Sequence, residues 1–181
     1  PSRLGSDTHP RELTLELCHR AAGVKPYNPT LMAPLADAAA FVAMAPSTDS
    51  LIPSIRSKKL LEVLDYTQAG SDPGCPGLST AALNPWLHGL ERKFGFDRQT
   101  LVVSLMESFV AQVLVNIQDL GLNPDLVNPW GGLLARGHPI GASGTVLVCD
   151  LFDHLAPDQL GLAEIPAAGG LASGLLVKRI N

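Results

Sequence analysis

The sequence predicts a layered α/β domain in which helices cover a mixed β-sheet. Short β-rich runs such as TLVVSLM alternate with segments of helical periodicity such as ESFVAQVLVNIQDLG, which ends at Gly121. The chain closes with two strand-like segments separated by Gly169 and Gly170, which is typical of a hairpin. Strands that alternate with helices and end in a hairpin need both parallel and antiparallel neighbours, so we expect a mixed sheet.

Local patterns then predict each element. Residues 35–45, LADAAAFVAMA, form an apolar run that favours a buried strand, although its alanines leave a helix possible. In chain order, the other predicted elements are a weak helix over 11–23, a strand over 58–70, a helix over 78–95 disturbed at Pro85, a strand over 100–106, helices over 107–121 and 145–155, and the two hairpin strands over 160–168 and 172–180.

Composition excludes several classes of function. The net charge is −4, and no basic run extends beyond Lys58 and Lys59, so nucleic acid is not an expected partner. No apolar run approaches the roughly 20 residues of a membrane-spanning helix. Cys18, Cys75 and Cys149 lie far apart, which predicts reduced cytoplasmic thiols and no metal site. We expect an irregular segment over 1–30 and one domain over 31–181.

The segment TVLVCDLFDHL predicts a helix that needs a cover on two sides. Its apolar residues occupy nearly the whole helical circumference, and one sheet can cover only one side. We therefore expect another chain, or a domain absent from this sequence, to cover the other side. These apolar residues are Val146, Leu147, Val148, Cys149, Leu151, Phe152 and Leu155.

The stretch NPWGGLLARGHPIGASG contains the main candidate catalytic residue, His138. His138 is followed by Pro139, and the residues after them open a helix whose N-terminal N–H groups suit an oxyanion or thioester oxygen. An imidazole there could polarise a carbonyl or take a thiol proton, but it could equally be a loop histidine bonded to backbone. The predicted substrate loop comprises Gly131, Gly132, Gly137, Gly141, Ser143 and Gly144.

Four blocks of the sequence resemble the thiolase superfamily. GGLLARGHPIGASG is similar to its GG–GHP–GASG motif, and ESFVAQ is similar to its NEAF or HEAF motif. APLADAAAFVAMA and GLAEIPAAGG resemble two further blocks, and all four occur in the family's order across 31–180. The resemblance implies the C-terminal βαβαββ half of a thiolase.

The resemblance also assigns roles. It implies that His138 is the histidine that activates the nucleophile, and that Glu107 and Phe109 belong to the middle motif, with Glu107 as a second candidate catalytic residue. Three positions depart from the family pattern. They are Met106 at the water-binding Asn or His, Pro166 at the second catalytic cysteine, and Ala33 at a Ser or Thr that contacts coenzyme A.

The expected function is therefore that of an incomplete catalyst. The resemblance implies a half or subunit of a thiolase-like acyltransferase of lipid metabolism, with a coenzyme A thioester as substrate and no covalently bound cofactor. The nucleophilic cysteine would come from an N-terminal thiolase half or a homologous subunit, since none of the three cysteines occupies a catalytic position. The alternative is a non-catalytic scaffold or acyl-CoA-binding partner, and the start at Pro1 also allows a piece of a longer enzyme.

Overall fold

One mixed sheet organises the part of the chain that the structure describes. The computed structural model describes residues 31–46, 59–75 and 77–181. Within them, the strands follow the order β1-β4-β3-β2, with β2 parallel to β3 and the other pairs antiparallel. The strands are β1 (Leu60–Gly70), β2 (Val102–Leu105), β3 (Leu160–Ala167) and β4 (Leu171–Ile180). The predicted mixed α/β architecture is thus confirmed.

Two of the four α-helices that the structure describes end at glycines in the left-handed conformation. The four helices are α1 (Asn84–Phe94), α2 (Val110–Leu120), the single turn α3 (Leu133–Arg136) and α4 (Ser143–His154). Gly95 and Gly121 close α1 and α2 in the left-handed conformation, at φ 68 and 63. The predicted helix over 78–95 is divided, since a 3₁₀ turn at Ser79–Leu83 precedes α1. Pro85 lies in the first turn of α1, where its missing N–H costs nothing.

The predicted hairpin joins β3 to β4. Gly169 and Gly170 both have positive φ, at 82 and 77. A Cβ on Gly170 would lie 2.4 Å from the carbonyl oxygen of Ser71, so this position requires glycine. The hairpin therefore packs tightly on the turn that follows β1.

Helices cover the two faces of the sheet unequally. The face covered by α1 and α2 buries the larger apolar cluster, and α4 packs on the other face over a smaller one. The larger cluster contains Leu83, Leu87, Leu90, Leu101, Val103, Leu105, Val113, Leu120, Leu122, Leu162, Ala172 and Leu176. The smaller cluster contains Val102, Met106, Leu133, Leu147, Leu151, Leu155, Ala163 and Val177.

Helix α4 is not fully covered by its own domain. Leu147 and Leu151 are buried against the sheet, whereas Val146 and Cys149 are half-buried and Phe152 is 39% exposed. The all-round apolar pattern thus buries one side of this helix and leaves the other without a complete cover among the described residues.

The predicted buried strand over 35–45 is wrong. Residues 36–46 adopt no regular secondary structure, and Leu35, Phe41 and Met44 are 90%, 91% and 78% exposed. The chain is bridged to the domain just before and at the start of this segment, from Met32 to Phe109 and from Leu35 to His138. The apolar pattern of this segment predicts burial, but none of the described strands lies alongside it.

Part of the sequence prediction falls outside this description. The helix predicted over 11–23, the cysteine at position 18 and the irregular segment over 1–30 lie outside the described residues. No helix within the described ranges is both long and apolar enough to cross a bilayer.

Candidate active site

The loop between α3 and α4 places His138 beside the start of the exposed segment. The His138 N–H donates to the carbonyl oxygen of Pro34 at 2.8 Å. Gly137 has φ 97, and a Cβ there would lie 2.5 Å from the Ala36 Cβ. The glycine before the histidine therefore lets two backbone segments approach each other closely.

The imidazole of His138 lines an open cavity. The cavity has a volume of about 430 Å³, and its other lining residues are Leu35, Ala36, Asp37, Pro139 and Ile140. Nδ1 lies 2.7 Å from the hydroxyl oxygen of Ser143 in the first turn of α4. Burial lowers the pKa of His138, which favours the neutral ring. Nε2 has no hydrogen-bond partner among the described residues and is the nitrogen left for a ligand.

Glu107 supports the loop that carries His138. Its side chain is buried, and one carboxylate oxygen accepts from the Leu134 N–H at 2.9 Å in the first turn of α3. The other oxygen accepts from Nδ2 of Asn128 at 2.5 Å. A Cβ on Gly132 would lie 2.0 Å from this carboxylate, which explains the second glycine of the motif. The carboxylate thus stabilises the N-terminus of α3.

Glu107 does not cap the helix that follows it in sequence. An acid at the start of the 107–121 helix could cap that helix, since acidic residues favour its first turn. Gln112 serves α2 instead, because its amide oxygen accepts from the Ser108 N–H at 3.0 Å. The contact between Glu107 and α3 spans 27 residues and has no local sequence signal.

Sequence reasoning assigned no role to Asn128, which is part of this arrangement. Its side-chain oxygen accepts from the Leu105 N–H at 2.8 Å, and its Nδ2 donates to the Leu105 carbonyl at 2.9 Å. The amide thereby takes the place of a neighbouring strand at the edge of β2. The available signal was an asparagine before Pro129, since Asn tolerates the left-handed conformation found here at φ 47.

A second pair of contacts fixes the loop on α4. The ring of Trp130 stacks on His154 with centroids 4.3 Å apart, and Arg136 forms a salt bridge with Asp150 at 2.5 Å. His154 also approaches the Asp150 carbonyl oxygen through Nδ1 at 2.9 Å. His154 is exposed, but it has partners in the ring of Trp130 and the Asp150 carbonyl.

The three departures from the family pattern carry no proton-transferring group in the structure. Met106 is buried in the smaller apolar cluster, and its backbone N–H donates to the Glu164 carbonyl at 2.9 Å. Pro166 is buried in β3 opposite Ala172. Ala33 donates its N–H to the Ser108 carbonyl at 3.0 Å, and its methyl side chain offers coenzyme A no hydrogen bond.

The two cysteines that the structure describes do not line the cavity. Cys149 lies half-buried on α4, where burial and the nearby Asp153 and Asp150 raise its pKa. A raised pKa disfavours the thiolate that nucleophilic attack requires. Cys75 is exposed in the turn after β1. The described residues also contain no group of three or more His, Cys, Asp or Glu side chains suited to a metal ion.

The remaining loop positions serve backbone and packing. Gly131 is exposed with φ 89, and Gly141 faces open space. A Cβ on Gly144 would lie 2.8 Å from the Ile165 Cδ1, so this glycine lets α4 pack closely on β3. The structure therefore brings Ser143 to the imidazole and uses the glycines to shape the loop around it.

Comparison with known proteins agrees with the motifs. The family model described as the thiolase C-terminal domain matches residues 57–179. The chain is 30% identical over 190 residues to a beta-ketoadipyl-CoA thiolase of Acinetobacter baylyi, covering 99% of this chain and 46% of that protein. It is 33% identical over 144 residues to the mitochondrial acetyl-CoA acetyltransferase of mouse, covering 79% of this chain and 32% of that protein.

A solved structure gives the same result. The Acat5 thiolase of Ascaris suum in complex with coenzyme A is similar with a TM-score of 0.60 and 34% identity, over 73% of this chain and 34% of that one. The chain thus spans less than half the length of these relatives. The chain belongs to the thiolase family and carries the C-terminal domain of that family.

Proposed function

We propose that this chain is the C-terminal half, or a subunit, of a thiolase-like acyltransferase that forms or cleaves a carbon–carbon bond next to an acyl thioester. One observation carries the proposal. An imidazole on the GG–GHP loop, whose neutral form burial favours, lines an open cavity, and neither described cysteine is there to serve as nucleophile. The nucleophilic cysteine would then come from an N-terminal half or from another chain.

Two surfaces would receive that second half. The outer side of α4 exposes Phe152, and the segment 36–46 exposes Phe41 and Met44. A peroxisomal 3-ketoacyl-CoA thiolase of Saccharomyces cerevisiae is described as a five-layered α-β-α-β-α structure built from two core domains of identical topology. Such an arrangement would supply a second sheet for the apolar side of α4, and its strands could pair with the exposed segment.

The proposed substrate is a coenzyme A thioester, with no covalently bound cofactor. The similarity to a thiolase that binds coenzyme A supports this choice. Ala33 provides no side-chain hydrogen bond to such a ligand, so a carrier-protein thioester is the competing substrate. The proposed compartment is the cytoplasm, in line with the widely spaced cysteines of the sequence.

Trapping of the acyl-enzyme tests which polypeptide supplies the nucleophilic cysteine. The native protein, purified with whatever it is bound to, is incubated with acetyl-CoA and quenched, and the acetylated cysteine is located by peptide mass spectrometry. The attacking thiolate forms a new thioester and coenzyme A leaves as the thiol. We expect the acetyl group on a cysteine outside this 181-residue sequence. Stable acetylation of Cys18, Cys75 or Cys149 would contradict the proposal.

A non-catalytic acyl-thioester-binding subunit is the second candidate. The apolar Met106 and Pro166 favour it, since neither side chain can hold a water or move a proton. The His138→Ala variant distinguishes the two functions within the native assembly. Loss of acetyl transfer to the partner cysteine supports catalysis, and unchanged transfer supports the binding role.

A further inference from the structure

We propose that Thr80, Asn116 and Glu164 line an internal water site on the α1–α2 face of the sheet, where ordered water joins their side chains. All three residues are 0% exposed. The Thr80 hydroxyl, both amide atoms of Asn116 and both carboxyl oxygens of Glu164 have no hydrogen-bond partner among the described residues. No other buried side-chain nitrogen or oxygen within the described ranges lacks a partner. Because an unpaired buried polar group is costly, polar atoms confined to three residues in this way indicate a shared ligand.

The Glu164 side chain points into the larger cluster. This residue pairs with Leu105 of β2 and with Gly174 of β4, and directly opposed residues of neighbouring strands share a face of the sheet. Leu105 belongs to the larger cluster, and a Cβ on Gly174 would lie 2.6 Å from the Trp86 ring of α1. Apolar groups therefore flank the carboxyl on both neighbouring strands, so a polar partner has to come from the layer that covers this face.

Asn116 and Thr80 belong to that layer. Val113 and Leu120 flank Asn116 on α2 at spacings of three and four residues, and both belong to the larger cluster. Residues at such spacings share one face of a helix, so the Asn116 amide faces the same interior. Thr80 lies in the 3₁₀ turn Ser79–Leu83, which contacts both α2 and β3. The turn thus lies against the two elements that carry the other two residues.

Water fits this site better than a direct contact or a cation. The three side chains form no hydrogen bonds with one another, whereas one water bridges polar atoms about 5 Å apart. A buried water makes about three hydrogen bonds and can both donate and accept. A cation would favour a charged carboxylate, but burial raises the pKa of Glu164 well above its usual range and favours the neutral acid. The neutral acid offers water an O–H donor beside its carbonyl acceptor.

The water site would tie α2 to β3 through polar contacts inside an apolar cluster. A buried polar network whose members are all satisfied rigidifies a core and favours one packing arrangement. The site lies on the face opposite α4, so it is independent of the reaction proposed above and of the second half that would complete it.

A crystal structure of the native protein tests the site directly. We expect a water oxygen within hydrogen-bonding distance of the Glu164 carboxyl and of the Asn116 amide or the Thr80 hydroxyl. Direct hydrogen bonds among the three side chains, a dry cavity, or a metal ion in contact with the Glu164 carboxylate would each overturn the proposal.

A double-mutant cycle tests whether Asn116 and Glu164 share the water. Asn116→Leu and Glu164→Leu each remove the bridge, so together they should destabilise less than the product of their separate effects. We expect the equilibrium constants of unfolding, measured in urea, to depart from additivity by about threefold or more. Asn116→Leu combined with Leu151→Ala is the control, because Leu151 is buried on the other face and these effects should add. Additive effects of the Asn116 and Glu164 changes would overturn the shared water. Should a variant fail to fold, the crystal structure of the native protein decides alone.

Discussion

The two faces of the sheet differ in how completely they are closed. On one face, α1 and α2 cover the larger cluster, and Arg98 joins the ends of both helices. On the other face, α4 packs with only the single turn of α3 beside it among the described residues, and its outer side retains an exposed Phe152. The imidazole of His138 lies on the loop that leads into α4 on this face. The comparison indicates that the α1–α2 face buries most of the apolar core, and the partner proposed above would cover the α4 face.

Removal of the Arg98 side chain should have the largest effect on stability. Its guanidinium binds the Glu91 carboxylate at 2.6 and 2.8 Å and donates to the Leu120 carbonyl at 2.9 Å. Arg98→Ala removes the donor to the Leu120 carbonyl and leaves the Glu91 carboxylate only the backbone N–H of residue 98, so we expect a loss of about 3–5 kcal/mol in the free energy of unfolding. Urea denaturation measures it. Lys178→Ala, which breaks an exposed pair with Asp158, is the control and should cost below about 1 kcal/mol.

A matched pair of apolar truncations sharpens the comparison between the faces. Leu87 of α1 is fully buried, whereas Phe152 of α4 is 39% exposed. Leu87→Ala should cost about 3 kcal/mol because it leaves a cavity, and Phe152→Ala should cost less, about 1 kcal/mol, in the isolated chain. Denaturation of both variants checks this. Equal losses would show that α4 is already enclosed by its own domain.

Neutralising Glu107 should weaken the loop that carries His138. Its two oxygens accept from Asn128 and Leu134, and a glutamine has only one oxygen for these two donors. Glu107→Gln should therefore cost about 2 kcal/mol and speed amide exchange at Leu134. Glu62→Gln, at an exposed position of β1, serves as the control. Unchanged exchange at Leu134 would contradict the supporting role of the carboxylate.

The closed face also contains a buried carboxyl that makes stability depend on pH. Glu164 on β3 is fully buried, its oxygens have no hydrogen-bond partner among the described residues, and burial raises its pKa well above the usual range. Above the ordinary glutamate pKa of 4.5, the unfolded chain loses this proton while the folded chain still holds it. Stability should therefore fall as pH rises, by about 1.4 kcal/mol per pH unit until the folded group ionises.

The Glu164→Gln variant separates this group from the other titrating groups. Its unfolding free energy should lose that part of the pH slope and stay flatter from mildly acidic to neutral pH. Denaturation at several pH values measures both slopes. If the wild type and the variant show the same slope, the carboxyl does not titrate with folding.

Local patterns were sufficient for most of the fold. Gly95, Gly121 and the Gly169–Gly170 pair mark element ends because their conformations are needed at single positions. The segment 36–46 shows the limit of such patterns, since apolar residues predict burial without saying which surface supplies the cover. The single turn of α3 is too short for periodicity to reveal.

The site was predicted through its motif more than through its contacts. The glycine spacing and the resemblance identified His138 and its loop. The contacts from Glu107 to Leu134 and from Asn128 to Leu105 span 27 and 23 residues, and local reasoning does not reach them. The stack of Trp130 on His154 is likewise a tertiary contact. Such contacts follow from the packing of the loop on β2 and α4.

The central claim is that His138 serves a reaction whose nucleophile this polypeptide does not supply. The most direct measurement is carbon–carbon bond cleavage of a 3-ketoacyl-CoA by the native assembly and by the isolated chain. The account predicts no turnover by the isolated chain, turnover by the assembly, and a loss of about 10²–10⁴-fold in the His138→Ala assembly. Turnover by the isolated chain, or an assembly indifferent to that substitution, would contradict it.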